Sequence, residues 1–278
     1  MKKILVPCDF SETALQAFQF AIEIARKSKG TIMLLHIIEL PVLHDSMLAP
    51  VLYFEAGYLK DMEANAEKKF AKMKSKYSKE NIKVNSFVKL GPILGTINGF
   101  AEEHKADLIV MGTQGATGLR DFFIGSNTEK IVRLSSIPVL AIRKSFKLHK
   151  IKNILFPTTL LPEDNYLVKH VKKLQDFFSA TLHLLLVNTP NNLNRTFDEQ
   201  ALMEKFANDH KLTNYTINTR DNFYVENAII DFVHEVKADM IVMGTHGRKG
   251  LSHLFIGSVA EGIVNHLDCA IWTYPIKK

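Results

Sequence analysis

Two closely similar stretches decide how this chain folds: KADLIVMGTQGATGLRDFFIGS at residues 105–126 and KADMIVMGTHGRKGLSHLFIGS at residues 237–258. Each begins with a short apolar run without polar alternation, which predicts a strand buried on both faces. Each then carries glycines in the spacing G-x2-G-x9-G-S, and a hydroxyl residue follows the last glycine. The pattern predicts a strand, a glycine-punctuated loop and the start of a helix, present twice.

The duplication extends along the whole chain. KKILVPCDF (Lys2–Phe10) matches KNILFPTTL (Lys152–Leu160) at an offset of 150 positions, whereas the two glycine stretches are offset by 132. The second copy therefore lacks 18 residues between its second and third strands. Because self-similarity along a chain marks repeated structural units, we predict two homologous domains, residues 1–146 and 147–278.

Within each unit, apolar strand-like runs alternate with amphipathic helical patterns. Ser11 is placed to cap the first helix, and Gly30 is placed to end it. Buried strands that alternate with helices indicate a parallel sheet covered on both faces. We therefore predict an α/β fold, with two tandem doubly wound five-stranded parallel sheets of Rossmann-like type, related by a pseudo-two-fold axis.

Composition and charge narrow the classes of function. No apolar run approaches the length of a membrane span, and the apolar run at the N-terminus is broken by Pro7 and Asp9, unlike that of a signal peptide. The net charge is +6, but the basic residues of Ala66–Glu80 are interspersed with acids, and no nucleic-acid-binding motif is present. We expect a cytoplasmic protein with no membrane or nucleic-acid partner, and Cys8 and Cys269 are expected to be buried.

The glycine stretches lie where open α/β sheets bind ligands, beyond the carboxyl ends of the strands. Gly112 and Gly115 can adopt positive φ and let a ligand approach the backbone. Gly125 and Ser126 open the next helix, whose free N–H groups suit phosphate. The stretch is neither a Walker A loop nor a G-x-G-x-x-G motif. A purely structural role, in which the glycines only form a turn copied by duplication, is the alternative.

The combination of V-P-x-D after the first strand with G-x2-G-x9-G-S after the fourth resembles the universal stress protein family. The resemblance implies an adenine-nucleotide-alpha-hydrolase-like sheet that binds ATP, AMP or ADP, with Mg²⁺ as a companion ion, and that dimerises through its last strand. It assigns Asp9 to the adenosine, and the alternative for Asp9 is an Asx-turn. The full set of nucleotide-binding positions that it implies is Asp9, Ile37, Ile38, Gly112, Gly115, Gly125, Ser126 and Asn127.

The second unit departs from this pattern, because Thr159 stands where the first unit has Asp9. It keeps the glycines and adds Arg248 and Lys249, whose charges can neutralise phosphate. An anion, a different ligand and no ligand all remain open for this half. The predicted phosphate or anion positions are Gly244, Gly247, Arg248, Gly257, Ser258 and Val259.

The residues indicate a binding protein rather than an enzyme. No nucleophile motif, catalytic set or metal-ligand spacing is evident. We expect a stress-response sensor or regulator that binds an adenine nucleotide, with a non-nucleotide-binding interaction protein and a slow ATPase as alternatives. The fifth strands, Pro138–Arg143 and Cys269–Pro275, can pair with each other as an intramolecular pseudo-dimer. Formation of a homodimer by two chains is left open.

Overall fold

A computed structural model describes residues 1–39, 56–77, 81–113, 126–143, 147–190, 198–245 and 267–276. Its strands are β1 (Lys3–Pro7), β2 (Thr31–Ile38), β3 (Val84–Leu90), β4 (Leu108–Gly112), β5 (Val139–Ile142), β6 (Asn153–Pro157), β7 (Thr181–Asn188), β8 (Tyr215–Asp221), β9 (Met240–Thr245) and β10 (Ala270–Pro275). Its α-helices are α1 (Glu12–Ser28), α2 (Ala56–Ser75), α3 (Ile93–Glu103), α4 (Ser126–Leu134), α5 (Pro162–Phe178), α6 (Glu199–Asp209) and α7 (Val225–Glu235). A short 3-10 helix, Leu148–Lys150, precedes β6.

The strands form a single ten-stranded sheet in the order β3-β2-β1-β4-β5-β10-β9-β6-β7-β8. Neighbouring strands run parallel within each half of the sheet. In the centre β5 and β10 pair antiparallel, with Trp272 opposite Leu140. The predicted doubly wound α/β architecture is confirmed, and the two five-stranded halves are joined edge to edge through the last strand of each.

Helices cover both faces of the sheet, and each face has one continuous core that crosses from the first half into the second. The core on one face includes residues of α1, α2, α5 and α6. The core on the other face includes residues of α3, α4 and α7. Along β1, Ile4 and Val6 belong to the first core and Leu5 to the second, because successive strand side chains point to opposite faces.

The first helix shows how local sequence sets these bounds. The hydroxyl of Ser11 accepts a hydrogen bond from the backbone N–H of Ala14, as predicted for an N-cap. At the other end, the left-handed residue is Lys29 rather than the expected Gly30. A Cβ at Gly30 would lie 2.9 Å from the carbonyl oxygen of Lys2. Gly30 is therefore required by the close approach of the chain before β1, and it does not itself terminate the helix.

Within each half, the winding direction reverses between the first and fourth strands. The helices that follow β1 and β2 pack on one face, whereas the helices that follow β3 and β4 pack on the other. The reversal lies between β1 and β4 in the first half, and between β6 and β9 in the second.

Within the described residues, none of the helices is both long and apolar enough to cross a membrane.

Candidate functional site

The two strands at the reversal stop pairing before they end. β1 and β4 pair at Ile4–Leu108 and at Leu5–Ile109, although β1 continues to Pro7 and β4 to Gly112. In open α/β sheets, ligands bind in the crevice outside the carboxyl ends of the strands at such a reversal. The crevice above β1 and β4, here called the first crevice, is therefore the candidate site.

The turn after β1 presents Asp9 at the first crevice. Asp9 is exposed, and its Oδ1 accepts a hydrogen bond from the backbone N–H of Ser11 at 3.0 Å. Phe10, between them, has a φ of 66°, a left-handed conformation that costs a residue with a Cβ about 1–3 kcal/mol. Asp9 thus does form the Asx-turn that the sequence offered as the alternative to ligand contact. The same turn leaves its carboxylate at the edge of the crevice.

An aromatic cluster holds this strained turn in place. The Phe10 ring lies 4.6 Å from the ring of His36 and 5.0 Å from that of Phe70, between ring centroids. The ammonium group of Lys69 lies 4.9 Å from the centroid of the Phe10 ring, within the range of a cation–π contact. His36 donates from Nδ1 to the carbonyl oxygen of Cys8 at 2.8 Å, which ties the ring beside Phe10 to the end of β1.

Gly112, at the end of β4, packs closely against the start of α1. A Cβ at Gly112 would lie 2.8 Å from the backbone of Thr13, so no other residue fits without moving α1. Its φ is not in the positive range, and the expectation that Gly112 uses positive φ is wrong. The hydroxyl of Thr13 lies 3.1 Å from that of Ser11. The first turn of α1 therefore connects the Asp9 turn to β4.

The start of α4 is tied to the same strand end. The hydroxyl of Thr128, in the first turn of α4, donates to the carbonyl oxygen of Gly112 at 2.9 Å. This places the N-terminal backbone of α4, at Ser126 and Asn127, beside the end of β4. Helix N-termini present free N–H groups and a positive dipole end. The first crevice thus has one wall suited to an anion.

The end of β2 lies at the same edge of the sheet, next to β1. The carbonyl oxygen of Ile38 accepts a hydrogen bond from the backbone N–H of Gly91 at 3.2 Å, and Ile38 is buried whereas Ile37 is half-buried. Gly91 has a φ of 141°, which requires glycine. One backbone acceptor of the predicted Ile37–Ile38 pair is therefore already engaged with the protein.

Several predicted positions lie outside the described residues. In the first half these are Gly115 and Gly125, and in the second half they are Gly247, Arg248, Gly257, Ser258 and Val259. The described positions Asp9, Ile37, Ile38, Gly112 and Asn127 all lie at the carboxyl edge of the sheet or at the adjoining start of α4.

The corresponding crevice above β6 and β9, here called the second crevice, has a different interior. Asp164, on α5, is only 7% exposed, and its Oδ2 accepts hydrogen bonds from three groups. The donors are the hydroxyl of Thr158 at 2.8 Å, the backbone N–H of Thr159 at 2.8 Å and the hydroxyl of Thr159 at 3.0 Å. The oxygen of Thr159 also accepts from the N–H of Leu161 at 3.4 Å. The carboxylate of Asp164 therefore binds the Thr158–Thr159 turn, which is equivalent to the turn that carries Asp9 in the first half.

The end of β7 is also polar. The side-chain amide of Asn188 donates to Glu199 Oε2 and to Asp221 Oδ1, both at 2.9 Å. In the first half, the register pair Ile38–Leu90 occupies the place of Asn188–Asp221. At Gly244, at the end of β9, an added Cβ would meet the Cδ1 atom of Ile276 at 2.5 Å, which is the end of a flexible side chain and not backbone as at Gly112.

A further polar group lies on the other face of the first half. Both side-chain polar atoms of Asn98 and the hydroxyl of Thr113 are buried without a hydrogen-bond partner among the described residues. Asn98 is in α3, where Phe100 contacts Phe87 of β3. Asn98 therefore lies buried in the same helix that packs against β3.

Comparison with known proteins identifies the chain. The model of the universal stress protein family matches residues 1–143 and again residues 150–275. This chain belongs to the universal stress protein family. A universal stress protein of Methanocaldococcus jannaschii is 32% identical over 146 residues, which are 52% of this chain and 84% of the relative. A universal stress protein of Synechocystis is 22% identical over 295 residues, covering 99% of this chain and all of that protein.

Among solved structures, a universal stress protein of Archaeoglobus fulgidus superposes with a TM-score of 0.78 at 18% identity. The match covers 99% of this chain and 98% of that one. The two chains therefore share the same overall fold over their full lengths.

Sequence reasoning missed three residues of this universal stress protein that the structure brings to the crevices. The backbone of Thr13 lies against Gly112, and the hydroxyl of Thr128 donates to the Gly112 carbonyl oxygen. Asp164 accepts hydrogen bonds from Thr158 and Thr159 in the second turn. Only Asp164 carried a usable signal, since it replaces the buried Ala14 of the first repeat at the offset of 150.

The two cysteines lie in the cores, as expected. Burial raises the pKa of Cys8 to about 11 and that of Cys269 to about 12. Both thiols therefore stay protonated at neutral pH, and a protonated thiol is a poor nucleophile and metal ligand.

Proposed function

We propose that the first half of this universal stress protein binds ATP or another adenine nucleotide in the first crevice. The observation that carries the proposal is the convergence of three elements there. The Asp9 turn, the closely packed end of β4 at Gly112 and the N-terminus of α4 meet above the strand-order reversal. An acceptor at one side and an anion-binding helix end at the other match the two ends of a nucleoside phosphate.

The residues of the first crevice fit the parts of such a ligand. The exposed carboxylate of Asp9 can accept from ribose hydroxyls, and the N–H groups of Ser126 and Asn127 can donate to phosphate oxygens. Gly115 and Gly125 would complete the phosphate contacts through their backbones, as the family motif implies. The half-buried backbone of Ile37 at the end of β2 would meet the adenine. Mg²⁺ would be shared with the phosphates rather than held by a cage of protein ligands.

We further propose that nucleotide binding serves a sensor or regulatory role in the cytoplasm rather than catalysis. ATP hydrolysis would be a slow side activity, because neither the sequence motifs nor the crevice walls described above supply a general base directed at a terminal phosphate. Phosphate release above a no-protein control, over hours, would argue for the enzyme alternative instead.

Isothermal titration of the full chain with ATP in a magnesium-containing buffer tests the proposal. We expect saturable binding and a rise in melting temperature, since a ligand that binds only the folded state stabilises it. The matched control is ATP titrated into an Asp9→Thr variant, which carries the residue found in the second half. Absence of binding by the wild-type chain would refute the nucleotide proposal.

A structural role is the second candidate, and two observations favour it. Asp9 already caps its own turn, and Gly112 is required by contact with Thr13 even without a ligand. On this alternative, the same fold acts as an interaction protein. A melting temperature that does not respond to ATP, together with protein purified free of nucleotide, would favour it.

A further inference from the structure

We propose that Asp164 closes the second crevice to nucleotides, so that each chain binds one nucleotide, in its first half. The inference rests on the proposed function of the first crevice and assigns Asp164 as a specificity-determining residue. What carries it is the hydrogen bonding of the two turns, which are equivalent in sequence but differ in which group faces the crevice.

In the second turn, the hydroxyl groups of Thr158 and Thr159 and the N–H of Thr159 all donate to a carboxylate within the protein. A buried carboxylate is tolerated when its oxygens are hydrogen-bonded, and Asp164 Oδ2 has three donors, all from Thr158 and Thr159. Thr159 has one hydroxyl proton, and it points to Asp164. Its oxygen also receives the N–H of Leu161. Thr159 therefore has no proton left to donate, and it offers no carboxylate to accept from a ribose.

In the first turn the equivalent inward position is apolar. Ala14 occupies the place of Asp164 at the offset of 150 and is buried. No carboxylate can reach the turn from there, so the acid of the first half is Asp9, which is exposed at the crevice. The first turn thus has its acidic side chain exposed at the crevice, whereas the second turn has its acidic side chain buried on the side of the core.

The distribution of charge also differs between the two crevices. At the end of β7, the second half has Glu199 and Asp221 converging on the amide of Asn188. The first half has the apolar pair Ile38 and Leu90 at the corresponding register. Carboxylates near a nucleotide's phosphates would repel them, but Asp221 is exposed and Glu199 is half-buried, so solvent weakens this repulsion. Because Arg248 and Lys249 of the second glycine stretch carry the opposite charge, the inference rests on the hydrogen bonding of the Thr159 turn and not on net charge.

The test exchanges the two turns in the full chain. Thr159→Asp with Asp164→Ala gives the second turn the residues of the first, and Asp9→Thr with Ala14→Asp does the reverse. Asp176→Ala, an exposed acid at the other end of α5, is the control. Each protein is labelled with 8-azido-ATP, the labelled peptides are assigned to residues 1–146 or 147–278, and the stoichiometry is measured by equilibrium dialysis. Thermal unfolding verifies that each variant is folded.

We expect one equivalent in the first half of the wild-type chain and of Asp176→Ala. The Thr159→Asp/Asp164→Ala variant should bind two equivalents, the second in residues 147–278, and the reverse exchange should weaken binding at least tenfold. Two equivalents in the wild type, or label in its second half, would overturn the inference and leave the proposed function standing.

Failure of the two proposals is distinguishable. No binding by the wild-type chain would refute the proposed function and with it the count of one nucleotide per chain, and the exchange in the second half would then test only the blocking role of Asp164. Label gained in residues 147–278 would support the role of Asp164. A folded Thr159→Asp/Asp164→Ala protein that gains no second-half label would refute it, whatever the wild type binds.

Discussion

Asp9 closes a turn of the fold and also carries the carboxylate of the proposed nucleotide site. Its carboxylate closes the turn after β1 by accepting the N–H of Ser11, and the aromatic contacts of Phe10 fix that turn. A turn held in this way positions the carboxylate before any ligand arrives, which lowers the entropy cost of binding. Separating the two roles requires a substitution that keeps the acceptor and removes the charge.

Asp9→Asn provides that separation. The amide oxygen can still accept from Ser11, so we expect thermal stability close to that of the wild type. Affinity for ATP should fall by about tenfold or more, because a hydrogen bond to a charged group contributes about 1.5–3 kcal/mol. Titration calorimetry measures the affinity, with Thr159→Ala as the matched control that should leave it unchanged. Wild-type affinity in Asp9→Asn would show that Asp9 serves the turn alone.

Asn98 is a second residue whose environment makes a prediction. It is 6% exposed, and neither of its side-chain polar atoms has a partner among the described residues. Leaving a buried polar group unpaired costs about 1–3 kcal/mol. The second repeat has Ile230 at the equivalent position. Asn98→Ile should therefore raise the free energy of unfolding by about 1–3 kcal/mol in urea titrations. A destabilised variant would contradict this and show that Asn98 is paired in solution.

At the scale of elements, α1 and α5 occupy equivalent places but start differently. Ser11 caps α1 with its hydroxyl, whereas Leu161 at the N-cap of α5 makes no side-chain capping bond and is 49% exposed. Pro162 at the first position of α5 compensates in part, because its φ suits a helix start and it has no N–H to satisfy. The second helix therefore relies on proline and on Asp164 for its start.

Leu161→Ser should stabilise the chain. A serine at an N-cap satisfies a free N–H of the first turn and contributes about 0.5–2 kcal/mol, while little buried apolar area is lost at an exposed leucine. Chemical denaturation should show a higher midpoint with an unchanged slope. Ser11→Ala is the matched control and should lower the midpoint by a similar amount. A lower midpoint for Leu161→Ser would mean that the leucine side chain is needed at this helix start.

At the scale of the whole molecule, the two halves share both of their cores. Each face of the sheet carries one hydrophobic cluster that includes residues of both halves. The β5–β10 ladder connects the two halves of the sheet at the centre, where Trp272 lies opposite Leu140. Hydrogen bonds also cross the junction on the α1 face, since Glu23 accepts from the N–H of Leu148 at 2.6 Å and Lys27 donates to the carbonyl oxygen of Phe177. This continuity predicts that the halves unfold together.

Trp272 reports on that prediction because it is the chain's only tryptophan and is buried at the junction. Its fluorescence and the far-UV circular dichroism should follow one coincident transition. Leu140→Ala should shift both probes together, since deleting a buried leucine costs about 2–5 kcal/mol. Leu202→Ala, at a more exposed leucine of α6, is the control and should shift them much less. Two separate transitions would show that the halves fold independently.

Much of the fold was predictable because its signals are local or repeated. Apolar runs located the strands, Ser11 located the start of α1, and the doubled G-x2-G-x9-G-S spacing indicated two equivalent units. The reasons for particular glycines were not predictable. Gly112 was expected to supply positive φ, but its requirement comes from Thr13, which is distant in sequence and adjacent only after α1 packs on β4.

The sequence by itself determined the family, the doubly wound architecture and the difference between Asp9 and Thr159, since each of these follows from residue identity and spacing. Only the tertiary structure decided which groups are already engaged. It placed Asp9 in its turn, brought Thr128 to Gly112 and turned Asp164 inward onto Thr158 and Thr159. The physical reason is that a hydrogen bond depends on distances of a fraction of an ångström between elements, and residue spacing does not encode those distances.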